Sequence, residues 1–277
     1  MVRVVTDSAA DIPPRVASDL GITVVPFYVR FGGEVYRDGV DIDADRFYQR
    51  LASENVLPVS STPSPGEMAE TYERVAEEAD GILSLHVSGR LTSMCEVASQ
   101  ARQHMKKGCR VEVVDSLSGA MGEGLVVIAA AEAARQGAGL DDVLNLVDDA
   151  VHKTHVRMCF DTLEYLQRGG RIGRVHALVG SVLKLNPILG LRGGEAYTYG
   201  KARTRGKAIE SLCEFVDGLS NVQSLAVEHA SIQEEAEALA ARLRGKVPEE
   251  RMHMCRISPV VGVHVGPRAI GVSVLEG

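Results

Sequence analysis

Tryptophan is missing from this chain, and aromatic residues make up only 4% of its 277 positions. Reading bases or sugars by stacking needs aromatic faces, so such platforms do not match this composition. Clustered basic charge is missing as well. Lys and Arg total 30 against 37 Asp and Glu, and a net charge of −7 is the wrong balance for a phosphate backbone. No run approaches the ~20 uninterrupted apolar residues of a membrane-spanning helix. The cysteines, Cys95, Cys109, Cys159, Cys213 and Cys255, are odd in number, widely spread and free of C-x-x-C pairs. That spacing lacks the zinc and dithiol patterns and points to buried reduced thiols. His253 and Cys255 lie close together, but one such pair does not complete a metal site, so no metal is expected. The opening MVRVVTDS reads as a strand rather than a secretion leader, and the cytoplasm is the expected location.

Hydrophobic residues at 45% and charged residues at 24% describe a globular chain able to bury a real core. The length allows two ordinary domains or one large one. Strand patterns at Val2–Thr6, Thr23–Val29, Gly81–Leu85, Val111–Asp115 and Val156–Phe160 alternate with helical segments, as in a parallel α/β layer. Asp11 before Pro13-Pro14 and Asp43 before a helical run read as helix starts. Ser64-Pro65-Gly66-Glu67 is a capping box. Met68, Tyr72, Val75 and Ala79 follow at helical spacing as one buried face. Tyr28–Tyr36 alternates around Gly32-Gly33 and predicts a hairpin with a tight primed turn.

After Phe160 the rhythm changes. A short strand at Glu195–Tyr199, a helix over Thr204–Leu219 and a second capping box at Ser231 and Glu234 are expected, with Gly245 closing the helix. Strands at Leu225–Glu228, Arg251–Ser258 and Ile270–Leu275 complete an α+β unit. A boundary near residue 160 follows. Residues 1–160 are expected to form a parallel α/β domain with a hairpin insertion near 27–36, and 161–277 an α+β domain, with the ligand between the two.

Leu163–Leu191 reads as a short helix broken by Gly169-Gly170, then Arg171, then a nearly all-apolar helical run over Val175–Leu185. A glycine turn that fixes a permanently charged fork beside an apolar wall suits an anion with an apolar tail. An ordinary corner with a solvated arginine is the plainer alternative. Ser60-Ser61-Thr62-Pro63-Ser64 and Ser88–Ser93 each place hydroxyls after a strand and before a helix. Hydroxyls and free amides at a helix N-terminus can cradle an anion without a basic residue. Ser64 is expected to be consumed by capping. Asp7-Ser8 and Asp115-Ser116 also follow strands, where capping competes with a ligand role. Gly119–Gly124 lacks the Lys-Ser/Thr of a phosphate loop and fails the dinucleotide spacing. No G-x-S-x-G elbow exists, and Ser181 to Lys184 fits S-x-x-K without its companion motifs. Gly262–Arg268 reads as a glycine-rich loop with His264 at its centre, open to close approach by a ligand.

Six segments in this order, TDSAADIP at 6–13, SSTPSPGE at 60–67, SGRLTSMCEVASQA at 88–101, DSLSGAMGEG at 115–124, LEYLQRGGRIG at 163–173 and GVHVGPRAIG at 262–271, resemble the DegV family. The resemblance implies a DegV-like two-domain α/β fold. Its first domain would be parallel α/β, and its second α+β with a mainly antiparallel sheet. It also implies binding of a long-chain fatty acid such as palmitate between the domains, with no other cofactor. In the family a hydroxyl of a Thr-Ser-Gln-Pro-Ser segment holds the carboxylate. Ser60 matches that threonine, with Ser61 and Thr62 following. The serine of a Leu-Ser-Gly-Thr motif matches Thr92, with Ser93 next to it. Arg171 and His264 match an arginine and a histidine that support phosphate transfer. The family's partner is a separate fatty-acid kinase, which makes an acyl phosphate for phospholipid synthesis. The chain departs from the pattern at Thr62 for Gln, Thr92-Ser93 for Ser-Gly and Arg268 for glycine. Arg268 is expected to add bulk and charge at the pocket mouth.

A buried carboxylate needs donors, which two hydroxyls and free helix amides supply. At ~0.8 kcal/mol per buried CH₂, about fifteen methylenes give roughly 12 kcal/mol before entropy costs. Val175–Leu191 and Ala129–Ala134 are the expected lining. Two other readings compete with a carrier that has no turnover of its own. One is an acyl hydrolase using Ser60 or Ser61 with His264 as base, and the other a small-anion binding module.

Overall fold

The structure, a computed structural model, describes residues 1–106, 108–178 and 185–277. Strand β1 (Val2–Asp7) runs into a 3-10 turn (Ser8–Ala10), then α1 (Pro14–Leu20) and β2 (Thr23–Val25). A hairpin of β3 (Tyr28–Phe31) and β4 (Glu34–Arg37) precedes α2 (Ala44–Ser53), β5 (Val59–Ser61) and α3 (Pro65–Val75). Then come β6 (Gly81–His86), α4 (Met94–Gln103), β7 (Arg110–Asp115), α5 (Met121–Arg135) and α6 (Leu140–His152). The chain continues through β8 (Thr154–Cys159), α7 (Glu164–Arg168), β9 (Asn186–Arg192), β10 (Glu195–Ala202) and α8 (Arg205–Asp217). It ends with β11 (Val222–His229), α9 (Gln233–Leu243), β12 (Met252–Arg256), α10 (Pro259–Val265) and β13 (Ile270–Glu276).

These strands make the expected α/β architecture. One sheet, ordered β2-β1-β6-β7, is parallel throughout. The second, β10-β9-β8-β13-β11-β12, is antiparallel except for the β11–β12 edge. The strand ending at Cys159, which a boundary at 160 groups with the first half, pairs with β9 and β13 in this second sheet. Helix α5 lies between the sheets, packing on β1 and β6 on one side and on β8, β11 and β13 on the other. Leu125, Val126, Val127 and Ala130 are fully buried there, as a helix apolar all round must be. Glycine at 122 is what lets the helix in: a Cβ would stand 2.3 Å from Val156 Cγ2. Gly122 and Gly124 of GAMGEG thus serve packing. Ala129–Ala134, expected to line the ligand site, belong instead to this inter-sheet core.

Several local expectations need correcting. Thr23–Val29 is two strands in different sheets, because Pro26 interrupts the ladder. The hairpin at 28–37 forms as expected, but β5 joins it to make a third, antiparallel sheet, β4-β3-β5. Pro13, not Asp11, precedes α1 as its cap, while Asp11 sits at φ 51° with its side chain turned elsewhere. Ser231 caps no helix. Its hydroxyl donates to the Pro267 carbonyl at 2.7 Å, and α9 starts after Ile232. Residues Gly173–Leu178 form a 3-10 helix, not the start of the predicted apolar α-helix, and Asn186–Arg192 is strand. Residues 179–184 of that run, including Ser181 and Lys184, lie outside the described residues. Asp43 and the Ser64–Glu67 capping box hold their helices as expected.

Candidate functional site

A cavity of about 370 Å³ opens at the carboxyl ends of β1, β6 and β7, between the parallel sheet and the second sheet. Ala9 from the turn after β1, Val87 after β6, and Gly119-Ala120 after β7 line one side. Val156, Met158 and Phe160 from β8 and its end, and Leu189–Leu191 from β9, line the other. Ligands of open α/β sheets sit at this end of the strands. The wall is mostly apolar, and its polar groups come from four segments far apart in the chain.

The residues matched to carboxylate binding and phosphate transfer all line this cavity: Ser60, Ser61 and Thr62, Thr92 and Ser93, Arg171, and His264. Strand β5 carries Ser60, half-buried, and Ser61, exposed, to the cavity. Ser64 is consumed by capping, its hydroxyl accepting from Glu67 N at 3.2 Å. Ser93 precedes α4 and makes no side-chain cap bond, so its hydroxyl and the first amides of α4 are left at the cavity rim. Asp7 and Asp115, by contrast, are spent on structure. Asp7 accepts from Ala9 N at 3.0 Å and Val87 N at 3.2 Å, and Asp115 from Gly89 N at 3.1 Å and Leu117 N at 2.8 Å. Both therefore shape the loops that form the rim.

Residues 262–268 are not a loop around His264. Ser258-Pro259 starts α10, His264 lies in its last turn, and Gly266 (φ 79°) ends it. The buried faces of Val260 and Val263 outweigh the weak helix propensity of valine. His264 Nε2 meets Ser60 Oγ at 2.9 Å. Its Nδ1 is buried with no hydrogen-bond partner among the described residues. A Cβ at position 169 would stand 2.3 Å from that nitrogen, so Gly169 is the residue that admits the ring. Burial, and secondly the nearby Arg171, push the His264 pKa down to about 4. At neutral pH the imidazole brings hydrogen bonding but no charge.

Arg171 is half-buried in the cavity wall. Its Nε donates to Leu91 O at 3.0 Å and its Nη1 to Gly169 O at 2.6 Å. The guanidinium therefore ties the 163–173 turn to the loop that carries Thr92. Arg268 does not line the cavity. It pairs with Asp161 at 2.5 Å and Glu235 at 3.0 Å, beside Arg205, which bonds the same two acids. Its expected place at the pocket mouth is thus incorrect. Short-range pattern gave no hint of Asp161, which lies 107 residues away. The apolar wall from Val87, Leu91, Val261 and Val265 was also not singled out from sequence, since these residues look like ordinary core. Among the described residues no cluster of His, Cys, Asp and Glu could hold a metal, and no helix is long and apolar enough to cross a membrane.

A three-sheet α/β protein with an apolar cavity rimmed by hydroxyls, an arginine and a neutral histidine is the class that fold and site define. A family model described as an uncharacterised protein of the DegV family matches residues 1–277, and the chain belongs to that family. A DegV domain-containing protein of Deinococcus radiodurans is 36% identical, over 98% of this chain and 97% of its own. A DegV family protein from Thermus thermophilus, whose structure is described as showing fatty acid binding, has a TM-score of 0.91. It is 33% identical, covering 100% of this chain and 99% of that one. DegV of Bacillus subtilis, described as a fatty acid binding protein, superposes with a TM-score of 0.90 at 29% identity, covering 100% and 99% of the two chains. Fatty-acid binding is thus described for these two DegV family proteins.

Proposed function

We propose that this chain is a cytoplasmic carrier that binds a long-chain fatty acid such as palmitate and presents its carboxylate to a separate fatty-acid kinase feeding phospholipid synthesis. The carboxylate is held by the hydroxyls of Ser60, Ser61, Thr62, Thr92 and Ser93, and the acyl chain lies along the apolar wall from β8 and β9. The observation that carries this reading is convergence. Side chains from β5, the rim of α4, the Gly169-Gly170 turn and α10 meet at one cavity whose remaining wall is apolar. Arg171 and His264 then support phosphate transfer at the rim, and the protein needs no cofactor.

Extraction of the protein from cells, followed by mass spectrometry, tests the ligand. A stoichiometric acyl chain is expected, and lipid-free protein that also fails to take up palmitate ends the proposal. Arg171→Ala tests the presentation step. Palmitate affinity is expected to change by less than about tenfold, while phosphorylation of the bound acid by the kinase collapses.

The Ser60–His264 contact favours one second reading, an acyl hydrolase. A working base needs an orienting group on its far nitrogen, and His264 Nδ1 has no partner among the described residues. Ester turnover that vanishes in His264→Ala would revive it. The apolar wall also argues against a module built for small anions. Acetate bound as tightly as palmitate would reverse that.

A further inference from the structure

Helix α10 follows β12 in the second half of the chain yet packs on α2, β3, β5 and the turn after β1 in the first. Its N-terminus is poorly provided for locally. Ser258 makes no side-chain cap bond, and Pro259 has no N–H to offer. Two carboxyl groups from the first half stand there instead. Asp11 Oδ1 accepts from Ser258 N at 3.0 Å across 247 residues of sequence. Asp38 faces the Val260 amide, and its Oδ2 accepts from Ser8 Oγ at 2.7 Å. Ser8 Oγ in turn accepts from Phe27 N at 3.0 Å, and Phe27 lines the cavity. Both carboxyls are buried, Asp38 at 2% exposure and Asp11 at 8%. Among the described residues each has one oxygen without a hydrogen-bond partner, Asp11 Oδ2 and Asp38 Oδ1.

Buried acids with unpaired oxygens are costly, and a fold that needed only packing there would place apolar side chains. Asp11 also takes the left-handed backbone conformation, which a non-glycine residue adopts at a cost. The same stretch of α10 is set close to α2. A Cβ at Gly262 would stand 2.6 Å from Phe47 Cε1, and the Tyr48 hydroxyl donates to Ile257 O at 3.2 Å. We infer that Asp11 and Asp38 are positioning residues: Asp11 caps α10 from the other half of the chain, Asp38 stands against the Val260 amide beside it, and the two so hold His264 against Ser60 at the cavity rim. Burial raises the pKa of both, Asp38 to about 7, while the amides they face pull the other way, as expected for carboxyls kept for their hydrogen bonds. The functional part of the inference rests on the fatty-acid reading of the cavity. The structural part does not.

The test uses ligand-free full-length protein with isotope-labelled histidine. His264 is assigned by His264→Ala. In Asp11→Gly and Asp38→Ala, which remove the accepting oxygens, the His264 titration is expected to move from about 4 toward its ordinary 6.5, as the ring leaves Ser60 and meets water. Palmitate Kd should rise about tenfold in the same variants. Glu228→Gln is the comparison, a buried acid nearby that bonds Met121 N and Ser273 and, among the described residues, makes no hydrogen bond to α10. It should lower Tm and leave the His264 titration in place. Folded Asp variants with an unmoved His264 titration would overturn the inference. Should they not fold, hydrogen exchange in the unaltered protein decides. The Ser258 amide must exchange slowly, and exchange at the rate of an open helix end would overturn the cap. If palmitate does not bind but the His264 shifts occur, the positioning role stands and the carrier reading falls.

Discussion

Ser60 Oγ and His264 Nε2 meet at 2.9 Å across 204 residues of sequence, joining β5 to the last turn of α10. With His264 neutral, the pair can hydrogen-bond a carboxylate but adds no charge to it. Head-group affinity is then spread over several neutral donors. Ser60→Ala is expected to weaken palmitate binding about tenfold, and Ser60→Ala with Thr92→Ala about a hundredfold. Titration calorimetry with palmitate and with hexadecanol separates head from tail. The alcohol should lose much less, and equal losses for both would mean that the variant had damaged the apolar wall instead.

Arg268 was the sequence position where trouble at the pocket was expected, and the fold turns it away. Its guanidinium is half-exposed and shares Asp161 and Glu235 with Arg205. Exposed pairs of this kind contribute about 0–1 kcal/mol each. Arg268→Gly should therefore leave palmitate affinity unchanged and lower stability by about 1 kcal/mol, read by urea denaturation. A marked change in affinity would put Arg268 back at the cavity.

The layer architecture was legible because it rests on local patterns: alternating strands and helices, Asp43 and Ser64 caps, and the switch of rhythm after Phe160. The hydroxyl and arginine segments were legible because each sits after a strand or at a glycine turn. The misplaced features share one cause. Asp11, Ser231 and Arg268 each have local roles available, as helix caps or a pocket group, and each is taken by a partner far away in sequence: Ser258, Pro267 and Asp161. Local spacing carries no information about such partners. The same holds for α10, where packing of Val260 and Val263 made a helix of a stretch that reads as a glycine-rich loop.

A hydrogen-bonded chain runs through the core from Asp7 Oδ2 to His86 Nδ1 at 2.9 Å, His86 Nε2 to Ser84 Oγ at 2.7 Å, and Ser84 Oγ to Tyr72 OH at 2.7 Å. It has the order of a hydrolase triad, but Ser84 and His86 are at 0% exposure and do not line the cavity. Its role is to lock β1, β6 and α3 together below the rim. Ser84→Ala leaves His86 and Tyr72 each short of a partner and is expected to lower stability by about 1–3 kcal/mol. Palmitate affinity should hold, and no ester turnover should be present to lose. Turnover abolished by Ser84→Ala would give the chain a catalytic role.

Glu228 ties β11 to the first residue of α5, accepting from Met121 N at 2.9 Å and from the Ser273 hydroxyl. Burial pushes its pKa up to about 7, against the pull of Ser273 and the Met121 amide. The unfolded chain releases that proton near the ordinary 4.5. Between these values the native state keeps a proton that the unfolded state has lost, so raising the pH favours unfolding. The stabilisation is full below about pH 4.5 and is lost as pH rises through about 7. Glu228→Gln has no proton to lose, and subtracting it cancels the opposite trend from His264 and His229, both pushed down to about 4 by burial. The stability of the unaltered protein relative to Glu228→Gln should therefore fall from about pH 5 to about pH 7 and level off above, as read from urea midpoints. A difference that grows with pH would mean that the native state prefers the ionised carboxylate, and that the Met121 amide and Ser273 outweigh burial at this junction of the two sheets.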